Sequence, residues 1–373
     1  MQVQTLDLRA SAISVCVVFL LGLTLSAPLK VAGQVGSQAF AAMPEPAPPD
    51  LPSQSFRTRE QAAKTLARAE AGSPRDQFLV GYAYLKGIGR PQDIVQARQW
   101  YERAANRGEP AASTELGRIY LDGAGVPKDY DRALEWFRRA AADGYAPAQT
   151  DLGLAYFEGL GTSRDEAAAV RWWQKASNQG YAPAESNLGV AYLNGTGIPQ
   201  DFSAAVRWFR KAADAGVSAA QFNLASCYEL GQGLHPDFSQ AAKWYRLAAR
   251  QGHSGAQNNL ASFYQRGNGV PRSSIEALRL YLLSAGSGNA KAAINLAEVF
   301  STGAGVRPDH NLAYMWLQVA ADWGEDVVDA IAAESELLDS DGITNARQRA
   351  MEWVAQHRAN SAWTTSAQLV RGN

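Results

Sequence analysis

The sequence predicts an all-α solenoid, a linear stack of helical pairs, and three observations carry that expectation. Large apolar residues return every 36 positions, at Trp100, Trp136, Trp172, Trp208 and Trp244, then at Leu280 and Trp316. The same offset links Tyr84, Tyr120, Tyr156, Tyr192, Tyr228, Tyr264 and Phe300, and the glycines Gly108, Gly144, Gly180, Gly216, Gly252, Gly288 and Gly324. No insertion breaks the period, as expected of units that pack only on their neighbours. Seven such units span residues 76–327, so chain length here means extent rather than domain count.

The segments ahead of the array have another character. Ala10 to Leu29 carries no charge, centres on the strongly apolar stretch 15–21 and follows Arg9. Residues 1–30 therefore read as a signal peptide or, since an apolar run of about 20 residues can span a bilayer, as an uncleaved N-terminal membrane anchor. Ala39-Phe40-Ala41, Leu25-Ser26-Ala27 and Val31-Ala32-Gly33 compete as cleavage sites. Residues 31–58 include Pro44, Pro46, Pro48, Pro49 and Pro52, which favour extended geometry and make a proline-rich linker. Residues 59–75 resemble half a unit: Ala62, Ala63, Leu66 and Ala69 form one apolar stripe, and Gly72 precedes Gly108 by 36, so an N-terminal capping helix is expected.

Each full unit opens with helix A, shown by Ala148, Leu152, Ala155 and Tyr156 at helical spacing. Gly159-Leu-Gly161 ends it, and the same Gly-x-Gly recurs in every unit because the turn needs residues that tolerate positive φ. Asp165, matched by Asp93, Asp129, Asp201, Asp237 and Asp309 and replaced only by Ser273, is placed to cap the next helix. Helix B follows with the alanines Ala97, Ala133, Ala169, Ala205, Ala241, Ala277 and Ala313, small enough for close approach to helix A. The tryptophans are expected to be core and to fill the gap to the following unit. After Gly324 the spacing fails. Residues 328–373 read as a C-terminal cap, with amphipathic helices Val327–Leu338 and Ile343–Arg358 joined at Asp341-Gly342. Met351, Trp353 and Val354 are expected to cover the last unit, and Asn360–Asn373 to be a loose tail.

Composition excludes several functions. Lys+Arg number 35 against Asp+Glu 36, with a pI near 6.5, so no basic excess exists to hold nucleic acid. The two cysteines, Cys16 and Cys227, leave a processed chain without an intramolecular disulfide or a Cys-based metal site. His235, His253, His310 and His357 share no metal-ligand spacing and read as surface or loop residues. Common hydrolase and phosphate-loop motifs are absent, and each Gly-x-Gly follows a helix rather than a strand, which makes it turn chemistry rather than a nucleotide site. No catalytic residue, cofactor or metal is expected.

The pattern Ala-x-x-x-Leu-Gly-x-x-Tyr-x-x-Gly-x-Gly, followed by Asp-x-x-x-Ala-x-x-Trp-Phe-x-x-Ala-Ala-x-x-Gly, resembles the Sel1-like repeat, a relative of the tetratricopeptide repeat. The resemblance implies a right-handed α-solenoid whose A helices line a concave groove. It implies adaptor proteins that assemble complexes, often in bacterial envelopes or at the endoplasmic reticulum. Members with a cysteine pair per repeat are linked to β-lactams, and this chain lacks those pairs.

One polar column stands in helix A just before the repeated leucine: Glu115, Asp151, Asn187, Asn223, Asn259 and Asn295. If helix A faces a groove, the asparagines offer donor and acceptor to an extended peptide, and Lys291, one turn before Asn295, offers a positive charge. Equally, asparagine here can bond the neighbouring repeat's backbone. Asp122 and Glu158 make the early end of this surface more acidic, while Arg266 and Lys291 lie late. The expected function is a non-enzymatic protein-interaction scaffold in the bacterial envelope, periplasmic or exported, touching membrane only through residues 10–29. An envelope hydrolase acting on peptidoglycan or β-lactams and a periplasmic signalling regulator are the alternatives.

Overall fold

A computed structural model describes the backbone of residues 59–371 and the side chains of residues 60–357. The expected signal or anchor (1–30) and the proline-rich linker (31–58) therefore lie outside the described residues. Among these, all regular structure is helical. Helix α1 (Arg59–Glu70) comes first. The A helices are α2 (Pro74–Lys86), α4 (Pro110–Asp122), α6 (Ala146–Glu158), α8 (Ala182–Asn194), α10 (Ser218–Leu230), α12 (Ser254–Arg266) and α14 (Ala290–Thr302). The B helices are α3 (Ile94–Ala105), α5 (Tyr130–Ala142), α7 (Glu166–Ser177), α9 (Phe202–Asp214), α11 (Phe238–Arg250), α13 (Ser274–Gly286) and α15 (His310–Asp322). Two further helices, α16 (Val328–Ser335) and α17 (Ser340–Arg371), close the chain. Each A helix packs on its own B helix, and each B helix on the next A helix, which is the expected solenoid.

Local chemistry accounts for the helix ends. Gly159 takes φ +75 at the A-helix C-terminus, and the second glycine, Gly161 (φ +65), has no room for a side chain because the Tyr130 carbonyl of the preceding B helix lies against it. The second glycine thus serves the joint between units as well as the turn. Asp165 then accepts from the Ala168 N–H at 2.8 Å, and Asp93, Asp129, Asp201, Asp237, Ser273 and Asp309 cap likewise. The N–H of each capping residue donates to the carbonyl of the repeated Tyr or Phe, as Asp165 does to Tyr156 at 2.8 Å.

The tryptophan column is core only in part: Trp100, Leu280 and Trp316 are buried, whereas Trp136, Trp172, Trp208 and Trp244 are half-buried, and the more deeply buried column is Tyr101, Phe137, Trp173, Phe209, Tyr245 and Tyr281, each one residue further on. On a helix one residue is a rotation of about 100°, and that step turns the ring from the edge of the interface to its centre. The seat for the buried ring is the glycine of the Leu-Gly pair: at Gly81, Gly117, Gly153 and Gly189 an added methyl would strike Tyr101, Phe137, Trp173 and Phe209. The tryptophans also lean backward, not forward: Trp100 packs with Val80 of its own unit and Ala69 of α1. Their outer faces carry cations one turn on, with Lys175 3.9 Å and Lys211 5.4 Å from the Trp172 and Trp208 ring centroids.

The C-terminal cap departs from expectation in detail. The chain turns at residues 336–339, and Asp341-Gly342 lies in the first turn of α17 rather than joining two helices. Trp353 packs its ring against Trp316 and Trp323, Val354 is buried, and Met351 is 56% exposed, so it covers nothing. Helix α17 lies on the outer face of α15, where Met315 and Val319 are buried at the registers that carry Arg207 and Lys211 in the fourth unit. The α17 backbone stays helical past Asn360 to Arg371, where the sequence suggested a loose tail.

Candidate functional site

Consecutive A helices touch directly: Arg118 of α4 donates to Asp151 of α6 at 2.9 Å, and Asn295 of α14 donates to Asn258 of α12 at 2.8 Å. This places the A helices on the inner side of the curve, with the polar column along it. Two kinds of asparagine emerge. Asn259 donates to the Tyr245 hydroxyl at 3.0 Å and Asn295 to Asn258, so these two belong to a network internal to the last three units. Asn187 and Asn223 follow B helices whose core rings are Trp173 and Phe209 rather than tyrosine, so no phenol oxygen is available to accept from them. Asn187 is 4% exposed and its Nδ2 has no hydrogen-bond partner; Asn223 makes no side-chain hydrogen bond among the described residues. A buried amide N–H without an acceptor costs about 1–3 kcal/mol, so Asn187 is a poor choice on stability grounds alone. Lys291 is exposed on the first turn of α14.

The electrostatics divide the inner face. At the early end Arg118 also donates to Glu115 at 3.0 Å, so one guanidinium joins the two carboxylates at the start of the column. Burial, with a contribution from Asp151, pushes the Asp122 carboxyl up to about 7 despite Arg118 and Lys128. At the late end burial raises the Glu229 carboxyl, and the Tyr245 hydroxyl that donates to it at 2.6 Å is held well above its usual range by burial and by Glu229. Ser226 lies 2.9 Å from that phenol oxygen. A protonated phenol is no base for a serine, so this constellation does not activate a nucleophile. Among the described residues no group of three or more His, Cys, Asp or Glu is placed to hold a metal ion, and no helix is long and apolar enough to cross a membrane.

Two features escaped sequence reasoning. His253 lies in a loop, as expected, but half-buried and as a helix cap: its Nδ1 accepts from the Ala256 N–H at 3.2 Å, its ring stacks on Phe222, and burial pulls its pKa down to about 4. A second column, Gln77, Gln149, Gln221 and Gln257, sends Nε2 back to the carbonyls of Ala69, Ala141, Ala213 and Ala249, tying each A helix to the preceding B helix or to α1. The glutamines recur at the 36-residue offset or twice it, whereas His253 has no histidine at the matching positions of the other units.

Paired helices, glycine joints and a polar inner face define a class of repeat scaffold, and the family model for the Sel1 repeat matches seven consecutive stretches: 74–109, 110–145, 146–181, 182–217, 218–253, 254–289 and 290–324. The chain belongs to the Sel1 repeat family, whose members are generally protein–protein interaction scaffolds. Among solved structures it is similar to a Sel1 repeat protein from Oxalobacter formigenes, with 31% identity over 65% of this chain and 96% of that one, at a TM-score of 0.58. It also matches c5321, a protective antigen of uropathogenic Escherichia coli displaying an SLR fold (24% identity, 84% of this chain, 92% of that one, TM-score 0.45). A third match is the immunity protein Pa5087 from Pseudomonas aeruginosa (20% identity, 56% of this chain, 81% of that one, TM-score 0.41). Comparison with curated proteins gives no match.

Proposed function

We propose that this protein is a non-enzymatic interaction scaffold of the bacterial envelope whose inner face takes an extended segment of a partner protein, with Asn187 and Asn223 as the main-chain contacts. One observation carries the reading: of four asparagines at one register, two are used within the fold and two lack internal acceptors, one of them buried. An amide that donates to nothing inside the fold is placed to donate to a strand laid along the groove. Asn259, Asn295 and Lys291 then border the site, the first two as supports. The envelope assignment rests on the uncharged run 10–29 and the proline-rich stretch behind it, which would display the repeats on a tether.

The test compares register-matched variants against a peptide selected on the full chain from a random displayed library. Asn223→Ala is expected to keep the melting temperature and weaken peptide binding, because a solvated groove residue carries little folding energy. Asn259→Ala breaks the bond to Tyr245 and is expected to lower stability by about 1–2 kcal/mol, with binding falling only as the folded fraction falls. Equal behaviour of the two variants would refute the division of the column.

A further inference from the structure

Helix α17 seats on the outer face of α15 over Met315 and Val319, so the fold itself shows that the outer side of a B helix can receive another helix. In the fourth unit the same registers are Arg207 and Lys211, both exposed. They line an open depression of about 650 Å³ on α9, together with Arg210, Asp214, Val206 and, from the loop ahead of α11, Leu234. Its charges are not balanced from within. Lys211 is set against Glu185 at 2.6 Å, but Arg210 meets the neutral Tyr228 hydroxyl, also at 2.6 Å, and Arg207 has no partner among the described residues. Asp214 is the one carboxylate in the lining, so the depression keeps a positive excess beside an apolar patch.

The opposite charge stands at the end of the same chain. Residues 308–346 hold nine Asp and Glu and no Lys or Arg, although the whole chain has a net charge of only −1. Asp329, Ala332, Ala333 and Glu336 fall at i, i+3, i+4 and i+7, on one face of α16 and its C-terminal cap, and all four are exposed. Neither Asp329 nor Glu336 has a partner among the described residues. Val328, 70% exposed, and Leu337, 60% exposed, neighbour these acids. The opposite side of α16 is held by buried Glu334, whose carboxylate lies 2.9 Å from the His310 Nδ1 of α15, so the acidic face is presented on an anchored helix.

We propose that the depression on α9 receives the α16 face of a second copy of this chain. Asp329 and Glu336 lie against Arg207 and Arg210, Ala332 and Ala333 let the two helices approach, and Val328 and Leu337 cover Val206 and Leu234. Seven residues of helix separate the two acids by about 10 Å, a span that two arginine side chains reach by splaying from neighbouring turns. The contact is not two-fold: one copy gives its cap and the next its fourth unit, so each added copy leaves a cap and a depression open and association runs on into rings or chains. Lys243, at the matching register of α11, is outside the lining, and the inner face is left free whatever lies there. Opposite charge around a small apolar centre makes a weak contact that salt screens.

Sedimentation velocity of the full chain, held in a neutral non-ionic detergent, tests this. The wild type is expected to form species larger than dimers as its concentration rises at about 0.05 M salt, and to associate about ten-fold more weakly at about 0.5 M. One variant carries Arg207→Glu with Arg210→Glu, the other Asp329→Lys with Glu336→Lys. Each is expected to stay monomeric with its melting temperature nearly unchanged, since all four positions are exposed. Mixing the two variants restores a complementary pair of faces, so the mixture is expected to recover the association that neither shows alone. Wild-type chains that stay monomeric at low salt would overturn the inference and leave the depression to an acidic segment of another protein. Association that survives both pairs of reversals, as contact through the uncharged run 10–29 would, overturns it too, and so does a mixture that stays monomeric where the wild type associates.

Discussion

Glu185→Gln should make the protein more stable, although it removes one partner of an ion pair. In four units a glutamine at this register donates to a carbonyl eight residues earlier, at 2.9 Å in Gln77 and 3.2–3.3 Å in Gln149, Gln221 and Gln257. The fourth unit has Glu185, which is 2% exposed and, when ionised, has nothing to donate toward Ser177, the residue eight before it. Its compensation is Lys211, with Nζ 2.6 Å from Oε1, a charge contact rather than a directed hydrogen bond. The Lys211 side chain is 56% exposed, so solvent screening limits that pair to about 0–1 kcal/mol. Glutamine restores a buried hydrogen bond worth about 0.5–1.5 kcal/mol and removes the desolvation cost of a carboxylate, so the expected gain is about 1–2 kcal/mol. Thermal unfolding followed by circular dichroism should show the transition rise by about 2–6 °C. Lys211→Met should destabilise the parent by stranding the carboxylate and be nearly neutral in the Glu185→Gln background, a coupling that a double-mutant cycle reads directly. A lower melting temperature for Glu185→Gln would mean that the ion pair outweighs the inter-unit hydrogen bond, and the reasoning would fail.

The adjacent aromatics of α9 should separate core from edge: Phe209→Ala, at 0% exposure, should cost about 3–5 kcal/mol, and half-buried Trp208→Ala about 1–3 kcal/mol, with hydrogen exchange showing the fourth and fifth units opening first. Equal costs would return the tryptophan to the core. His253 has a folded pKa near 4 against an ordinary 6.5, so only the unfolded chain takes the proton in between; its contribution is intact above about pH 6.5 and is lost as pH falls toward 4. His253→Asn, which keeps a capping side chain like that of Asn289, should flatten the melting temperature across that window, and an unchanged slope would assign the dependence elsewhere. For location, a reporter active only outside the cytoplasm, fused after Phe56, should be active; a silent one beside an active cytosolic reporter would end the envelope assignment.

Much of the fold was legible because a repeat states each rule seven times. The A and B helices, the glycine turns and the capping aspartates follow from local chemistry, and the structure places them where the spacing put them. Burial within helix B was harder: Trp208 and Phe209 are both large and apolar, and only the packing of Phe209 over Gly189 decides which is central. At the C-terminus the period ends, and the sequence rules gave Asp341-Gly342 a turn that the structure puts at residues 336–339. The candidate site was half legible. The asparagine column was visible, but its division depends on whether Tyr245, Phe209 or Trp173 stands behind each amide, a contact between units that no single helix's pattern displays. The Gln column and the His253 cap were illegible for a different reason: the glutamine register is interrupted by Ser113, Glu185 and Ala293, and the histidine cap occurs once, so neither stands out as a repeated signal.

The central claim is that the inner face, not the outer one, receives the partner, and site-specific crosslinking in living cells tests it most directly. A photoreactive phenylalanine analogue is placed at Leu230, 63% exposed at the end of α10 two turns after Asn223, or at Lys243 on the exposed face of α11. The account predicts a discrete protein adduct from position 230, none from position 243, and loss of the first when Asn223→Ala is added. An adduct from position 243 alone, or one at position 230 that survives Asn223→Ala, would contradict it.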